Sequence, residues 1–148
     1  MKKLIGLGLL LVACRSSGPA TPTPAATLGG PGAASAGAAL TAMMAAVKAE
    51  DIQAFAAVWG DQKGSVRDQW PRSELEMRAY ITMKCLRHDK FTVLSDGNGI
   101  GGRRVLNVQI NYKDLAKVTN FTVVPGPQSR WYVEIFDMAP LDEICRKG

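Results

Sequence analysis

Two side chains in this sequence, His88 and Glu134, stand out as candidates for acid–base chemistry. His88 is the single histidine of the 148 residues and is flanked by Arg87 and Asp89. As a general base it needs a partner within hydrogen-bond reach and a pocket around it; without them it is a surface histidine at a helix-to-strand junction. Glu134 stands in an otherwise apolar run, Trp131-Tyr132-Val133-Glu134-Ile135-Phe136. Such neighbours raise a carboxyl pKa towards the range of a general acid, unless the residue faces solvent and pairs with a base across a sheet. A third segment, Gly97-Asn98-Gly99-Ile100-Gly101-Gly102-Arg103-Arg104, has the glycines of a phosphate loop. Phosphate loops, however, run from a strand into a helix N-terminus, and here a strand pattern follows the glycines. The segment is expected to be a hairpin loop whose two arginines can reach anionic headgroups or an acidic partner.

The elements that position these residues begin near Ala38. Leu40, Met43 and Val47 recur at helical spacing in an alanine-rich context, which favours a helix. The pattern breaks at Glu50-Asp51, and Asp51 is a suitable N-cap for a second short helix carrying Ile52, Phe55, Val58 and Trp59 up to Gly60. At this spacing Met43, Met44, Phe55 and Trp59 are read as core rather than as a ligand-lining stripe. Residues 60–72 are polar and turn-like. A third helix is expected after Ser73, which stands in the capping-box relation to Glu76; Leu75, Ala79, Met83 and Leu86 fall on one face of it, and Cys85 lies at its end.

The period then changes to two. Residues 91–95 read as a strand and residues 96–102 as a long turn. Leu106, Val108, Ile110 and Tyr112 next alternate with Asn107, Gln109 and Asn111, so one face meets a core and the other meets water or a polar cavity. Residues 118–124 and 130–136 give two further strands. The last is apolar on both sides apart from Glu134 and reads as the central or most covered one. A helical turn over residues 141–146 would bring Cys145 back to the third helix. The order predicts an α+β fold, three N-terminal helices packed on a four-stranded curved antiparallel sheet.

Upstream, Lys2 and Lys3 precede ten residues, 4–13, that are all apolar or glycine. The run has the length and flanks of a signal-peptide core, whereas a spanning helix needs about twenty apolar residues. Its end, Leu11-Val12-Ala13-Cys14, resembles the lipobox of bacterial lipoproteins. The resemblance implies cleavage of residues 1–13 and attachment of diacylglycerol to the Cys14 sulfur. The protein would then be held in the cell envelope by lipid, since two or more acyl chains anchor stably where one does not. Arg15 is not the aspartate associated with inner-membrane retention in enteric bacteria, which points to the outer membrane, facing the periplasm. Residues 14–37, rich in Pro, Gly, Ala, Ser and Thr, are expected to be a disordered tether, leaving residues 38–148 as the folded domain.

Charge and cysteines bound the function. Loss of residues 1–13 removes two lysines and no acid, so the net charge falls from +5 to +3. The remaining bases form no run longer than a pair, and nucleic-acid binding, which calls for a clustered basic face, is not expected. With Cys14 carrying lipid, Cys85 and Cys145 are an even pair in an oxidising compartment and are expected to form a disulfide. Too few ligands are then left for zinc, and no cofactor is expected.

Taken together, the alanine-rich first helix, the break and short second helix at Glu50-Asp51-Ile52-Gln53-Ala54-Phe55, and the closing strand Arg130-Trp131-Tyr132-Val133-Glu134 resemble the NTF2-like, or cystatin-like cone, group of small envelope lipoproteins. The chain departs from that group in showing no strand between its second and third helices. The resemblance implies a pocket between sheet and helices. Enzymes of the group that abstract protons place an acid, or an Asp–His pair, inside the cone, which makes Glu134 and His88 the catalytic candidates for an isomerase or hydratase. The leading expectation is a non-enzymatic lipoprotein whose domain binds a protein partner or a small ligand.

Overall fold

The computed structural model describes residues 30–148. Helix α1 (Ala36–Ala49) starts where the Ser35 side chain accepts from the amide of Ala38 at 3.2 Å. It ends at Glu50, in the left-handed region with φ 54°, whose amide turns back onto the carbonyls of Ala46 and Val47. Asp51 then caps α2 (Ile52–Val58), its Oδ1 accepting from Ala54 N at 2.9 Å. This cap is the bond the Glu50-Asp51 break implied. Asp51→Ala is expected to lower stability by about 1 kcal/mol, read as a reduced urea midpoint at unchanged slope; an unaltered midpoint would remove the cap from this account.

After α2 the chain makes a small ribbon, β1 (Gly60–Asp61) against β2 (Gly64–Ser65), where residues 60–72 had suggested only turns. Ser65 Oγ is buried and donates to the Ala56 carbonyl at 2.6 Å, so the ribbon is fastened to α2. Helix α3 (Arg72–Cys85) follows, and its start differs from the expected capping box. Pro71 occupies the N-cap without a side-chain bond, and Ser73 lies within the first turn. Glu76 is taken by Arg72 at 2.7 Å, one turn away, instead of reaching back to an amide.

Strands β3 (Lys90–Asn98), β4 (Arg104–Tyr112), β5 (Leu115–Pro125) and β6 (Trp131–Phe136) pair in sequence order, all antiparallel, in an open sheet. The fold is therefore α+β, with helices and a four-stranded antiparallel sheet. Leu106, Val108, Ile110, Phe121, Val123 and Val133 are buried on one face of the sheet. They meet Leu40, Met43, Met44 and Val47 of α1, Phe55 of α2 and Met83 of α3 in one continuous core. The last helix, α4 (Asp142–Lys147), adds Ile144 to that core. It is tied to α3 by the Cys85–Cys145 disulfide and to β5 by an ion pair between Glu143 and Lys117.

Three expectations about strand limits and order are corrected. β3 continues to Asn98 rather than turning at Asp96, because it pairs with β4 as far as Asn98↔Arg104 and Arg104 donates to both Asp96 and Asn98. β5 starts at Leu115, since a two-residue turn with Lys113 at φ 53° suffices. β6 is an edge strand, not a central one. It is covered on its free side by two non-local bridges, Trp59 to Val133 and Ala33 to Trp131.

The second bridge moves the start of the folded body ahead of Ala38. Ala33 and Trp131 exchange both backbone hydrogen bonds, at 2.9 and 2.8 Å. Arg130 donates to the Gly32 carbonyl at 2.5 Å and to those of Gly30 and Pro31 at 3.4 Å, and the Tyr132 hydroxyl donates to Pro31 at 3.1 Å. Gly32 has φ +86°, and a Cβ there would come within 2.7 Å of the Tyr132 ring. Residues 30–35 are thus a strap along β6, although the sequence placed them in the tether. Ala36 and Gly37, also expected in the tether, open α1; the rest of the expected tether, with Cys14 and the apolar run before it, lies outside the described residues.

Candidate functional site

Glu134 sits where β6 is bulged: Ile135 faces Thr122 and Val133 faces Val123, leaving Glu134 as the extra residue. The irregularity turns its carboxylate to the start of β4. There Arg103 binds it with two nearly parallel bonds, Nε to Oε2 at 2.6 Å and Nη2 to Oε1 at 2.8 Å. Such a fork engages both carboxylate oxygens at once. In this arrangement Glu134 is one half of a structural ion pair, and a general acid would first have to leave it.

His88 lies at the other end of the sheet, in the connection from α3 to β3. Its Nδ1 is 2.9 Å from the Leu86 carbonyl oxygen, to which it donates in the tautomer this contact requires. Its ring meets Phe91 edge to face at 5.5 Å. Burial, with Lys48 adding to it, pushes the imidazole pKa below its ordinary value despite the opposing bond to Leu86. A shallow recess of about 340 Å³ beside it is lined by Thr41, Met44, Lys48 and Phe91. Glu134 lies across the sheet from the Gly97 end of β3, whereas His88 precedes the Lys90 end, and at 3.3 Å per residue these ends are ~20 Å apart. The two catalytic candidates are not brought together.

The amide row of β4 is on the sheet face away from the helices. Asn107 Nδ2 donates to Asn120 Oδ1 at 2.8 Å across the strands, and Gln109 Nε2 to Asn111 Oδ1 at 3.1 Å along one. These side chains satisfy one another on an open face. No group of three or more His, Cys, Asp or Glu able to hold a metal occurs among the described residues. No described helix is long and apolar enough to cross a membrane.

One recess that the sequence did not single out is a groove of about 660 Å³ along the outer side of α1 and α2. Ala42, Ala45 and Ala49 of α1 and Ala54 and Ala57 of α2 form its floor, and Arg130 stands at the end where the strap begins. Its signal was present as alanines three and four apart in the first helix, which count towards helix propensity and, lacking bulk, leave a trough on the side they face. Thr41 and Asp51 also line it, but the Thr41 hydroxyl donates to the Gly37 carbonyl at 2.9 Å and Asp51 caps α2, so the chemistry the groove offers is chiefly that of apolar contact.

Compared with protein families, with curated proteins and with solved structures, the chain matches none.

Proposed function

We propose that this chain is a bacterial envelope lipoprotein, held by lipid on Cys14 at the periplasmic side of the outer membrane, with a non-catalytic domain that binds a protein partner or a small ligand. The observation that carries the reading is Leu11-Val12-Ala13-Cys14 immediately after ten apolar or glycine residues. The Cys85–Cys145 disulfide supports it, because a structural disulfide belongs to an oxidising compartment and leaves Cys14 as the one cysteine without a pair. The separation of Glu134 from His88, and the engagement of Glu134 by Arg103, favour binding over acid catalysis.

We assign the domain to the NTF2-like cone type. Helices packed on one face of an open antiparallel sheet support that assignment, as does the β1–β2 ribbon, which lies between α2 and α3 where the sequence pattern lacked a strand. Anchoring is tested by Cys14→Ser. The variant is expected to run as an unprocessed or soluble species and to leave the detergent phase in a partitioning assay, while the parent chain stays in it. Equal retention of both would reject the lipid anchor.

A further inference from the structure

Because adjacent strands are antiparallel, the β3–β4 and β5–β6 connections emerge at the same end of the sheet. They lie together: a Cβ on Gly102 would be 3.6 Å from the Pro125 ring, and one on Gly126 would be 3.2 Å from the Asp61 carbonyl of the β1–β2 ribbon. The strap joins the folded body at this end too, since Arg130, which follows the β5–β6 connection, donates to the Gly30 carbonyl. The opposite end of the sheet, about 30 Å away along β4, carries the Lys113-Asp114 turn and the end of α4, which Lys147 joins to Asp114.

At the end where the chain joins, the β3–β4 loop presents Ile100 with 91% of its surface exposed. Gly99, Gly101 and Gly102 surround it, the last two at φ 68° and 77°, so no neighbouring side chain shields it. The loop is also braced from below: Arg103, fixed by its fork to Glu134, places Nη1 3.5 Å from the Ile100 carbonyl. A single exposed isoleucine is ordinary on a protein surface; its place at the end that receives the upstream chain is what assigns it a partner.

We infer that the β3–β4 loop is a lipid-contacting tip, with Ile100 entering the acyl boundary of the membrane that holds Cys14. This rests on the lipoprotein reading. Fully extended, the residues between Cys14 and Gly30 span at most ~55 Å. An anchored domain therefore meets the bilayer at a high effective concentration, and contacts too weak to recruit a free protein suffice to orient it. Ile100 makes no contribution to the core, so its replacement leaves the fold intact.

The test uses the full lipidated chain in vesicles of phosphatidylethanolamine and phosphatidylglycerol, with a polarity-sensitive dye on Ile100→Cys or, at the opposite end, on Lys113→Cys. Cys14, its sulfur bound in a thioether to diacylglycerol, and the bridged Cys85 and Cys145 leave the introduced thiol as the reactive one. Emission from position 100 is expected to shift to shorter wavelength and to be quenched by nitroxide-labelled lipid, with position 113 unaffected. Aqueous emission at both positions, or a shift at 113 instead, in protein whose Cys14 acylation is verified by mass, would overturn the docking tip and leave the anchor standing. Protein found by mass to carry no lipid on Cys14 would overturn both.

Discussion

Cys145→Ser is expected to lower the unfolding free energy by about 4 kcal/mol in non-reducing buffer, the loop-closure value for a ring of this size. The bond joins residues 60 apart in sequence and encloses all four strands of the large sheet, from β3 to β6. It also holds an element that has little strength of its own. α4 has six residues, well below the length at which a helix persists alone, yet Ile144 is fully buried beside Leu141. When the bond is lost, fraying of α4 exposes that pair and releases the ion pair between Glu143 and Lys117. Urea unfolding of the variant without reductant, and of the parent chain with it, should give coincident curves. A parent chain whose midpoint does not move on reduction would show that packing alone seats α4.

Phe121→Ala is expected to cost about 3–5 kcal/mol, the range for an aromatic deleted from a close-packed core. Phe121 is fully buried on β5, between Leu106 of β4 and Phe136 of β6 in the ladder. Its ring lies 5.8 Å from that of Phe136, which is 6.1 Å from Trp59, itself 5.5 Å from Phe55. The deletion therefore removes the sheet end of an aromatic chain that runs into α2, and the near-ultraviolet circular dichroism of Trp59 should weaken along with the thermal midpoint. Val118→Ala, on the exposed face of the same strand, is the control and should change neither. A cost for Phe121→Ala no greater than that of the control would contradict its central place.

Where sequence and structure agree, the signal was local. In β4, Leu106, Val108 and Ile110 are buried while Asn107, Gln109 and Asn111 face outwards, because strand alternation is set by the backbone alone. The Asp51 cap is a contact over three residues and was equally legible. Apart from the tight Lys113-Asp114 turn before β5, the misreadings involve a partner that spacing does not reveal. Ser73 and Glu76 have the right separation, but Arg72 competes for the carboxylate and Pro71 takes the cap position. β6 looked central because both of its sides are apolar; it is an edge strand whose cover comes from Trp59 and from Ala33, about a hundred residues upstream. Asp96, Gly97 and Asn98 are poor strand formers held in β3 by pairing with β4 and by Arg104.

The site was legible to a lesser degree, for the same reason. Residue types nominated Glu134 and His88, and the expected pairing of Cys85 with Cys145 is formed. Nothing near Glu134 in sequence announces Arg103, which lies 31 residues away. The alanine groove left no polar signature at all.

The strap along β6 also decides how the domain takes mechanical load. A pull from upstream residues reaches Gly30 first and is borne by the carbonyl bonds from Arg130 and Tyr132 and by the Ala33–Trp131 pair. The bonds at Gly30, Pro31 and Gly32 precede the first core side chain of the strap, Ala33, and would be stripped before it. Under tension the first residues of the strap would yield as a fuse, freeing a short length of chain before force arrives at Ala33, the Ser35 cap and the core side chains of α1.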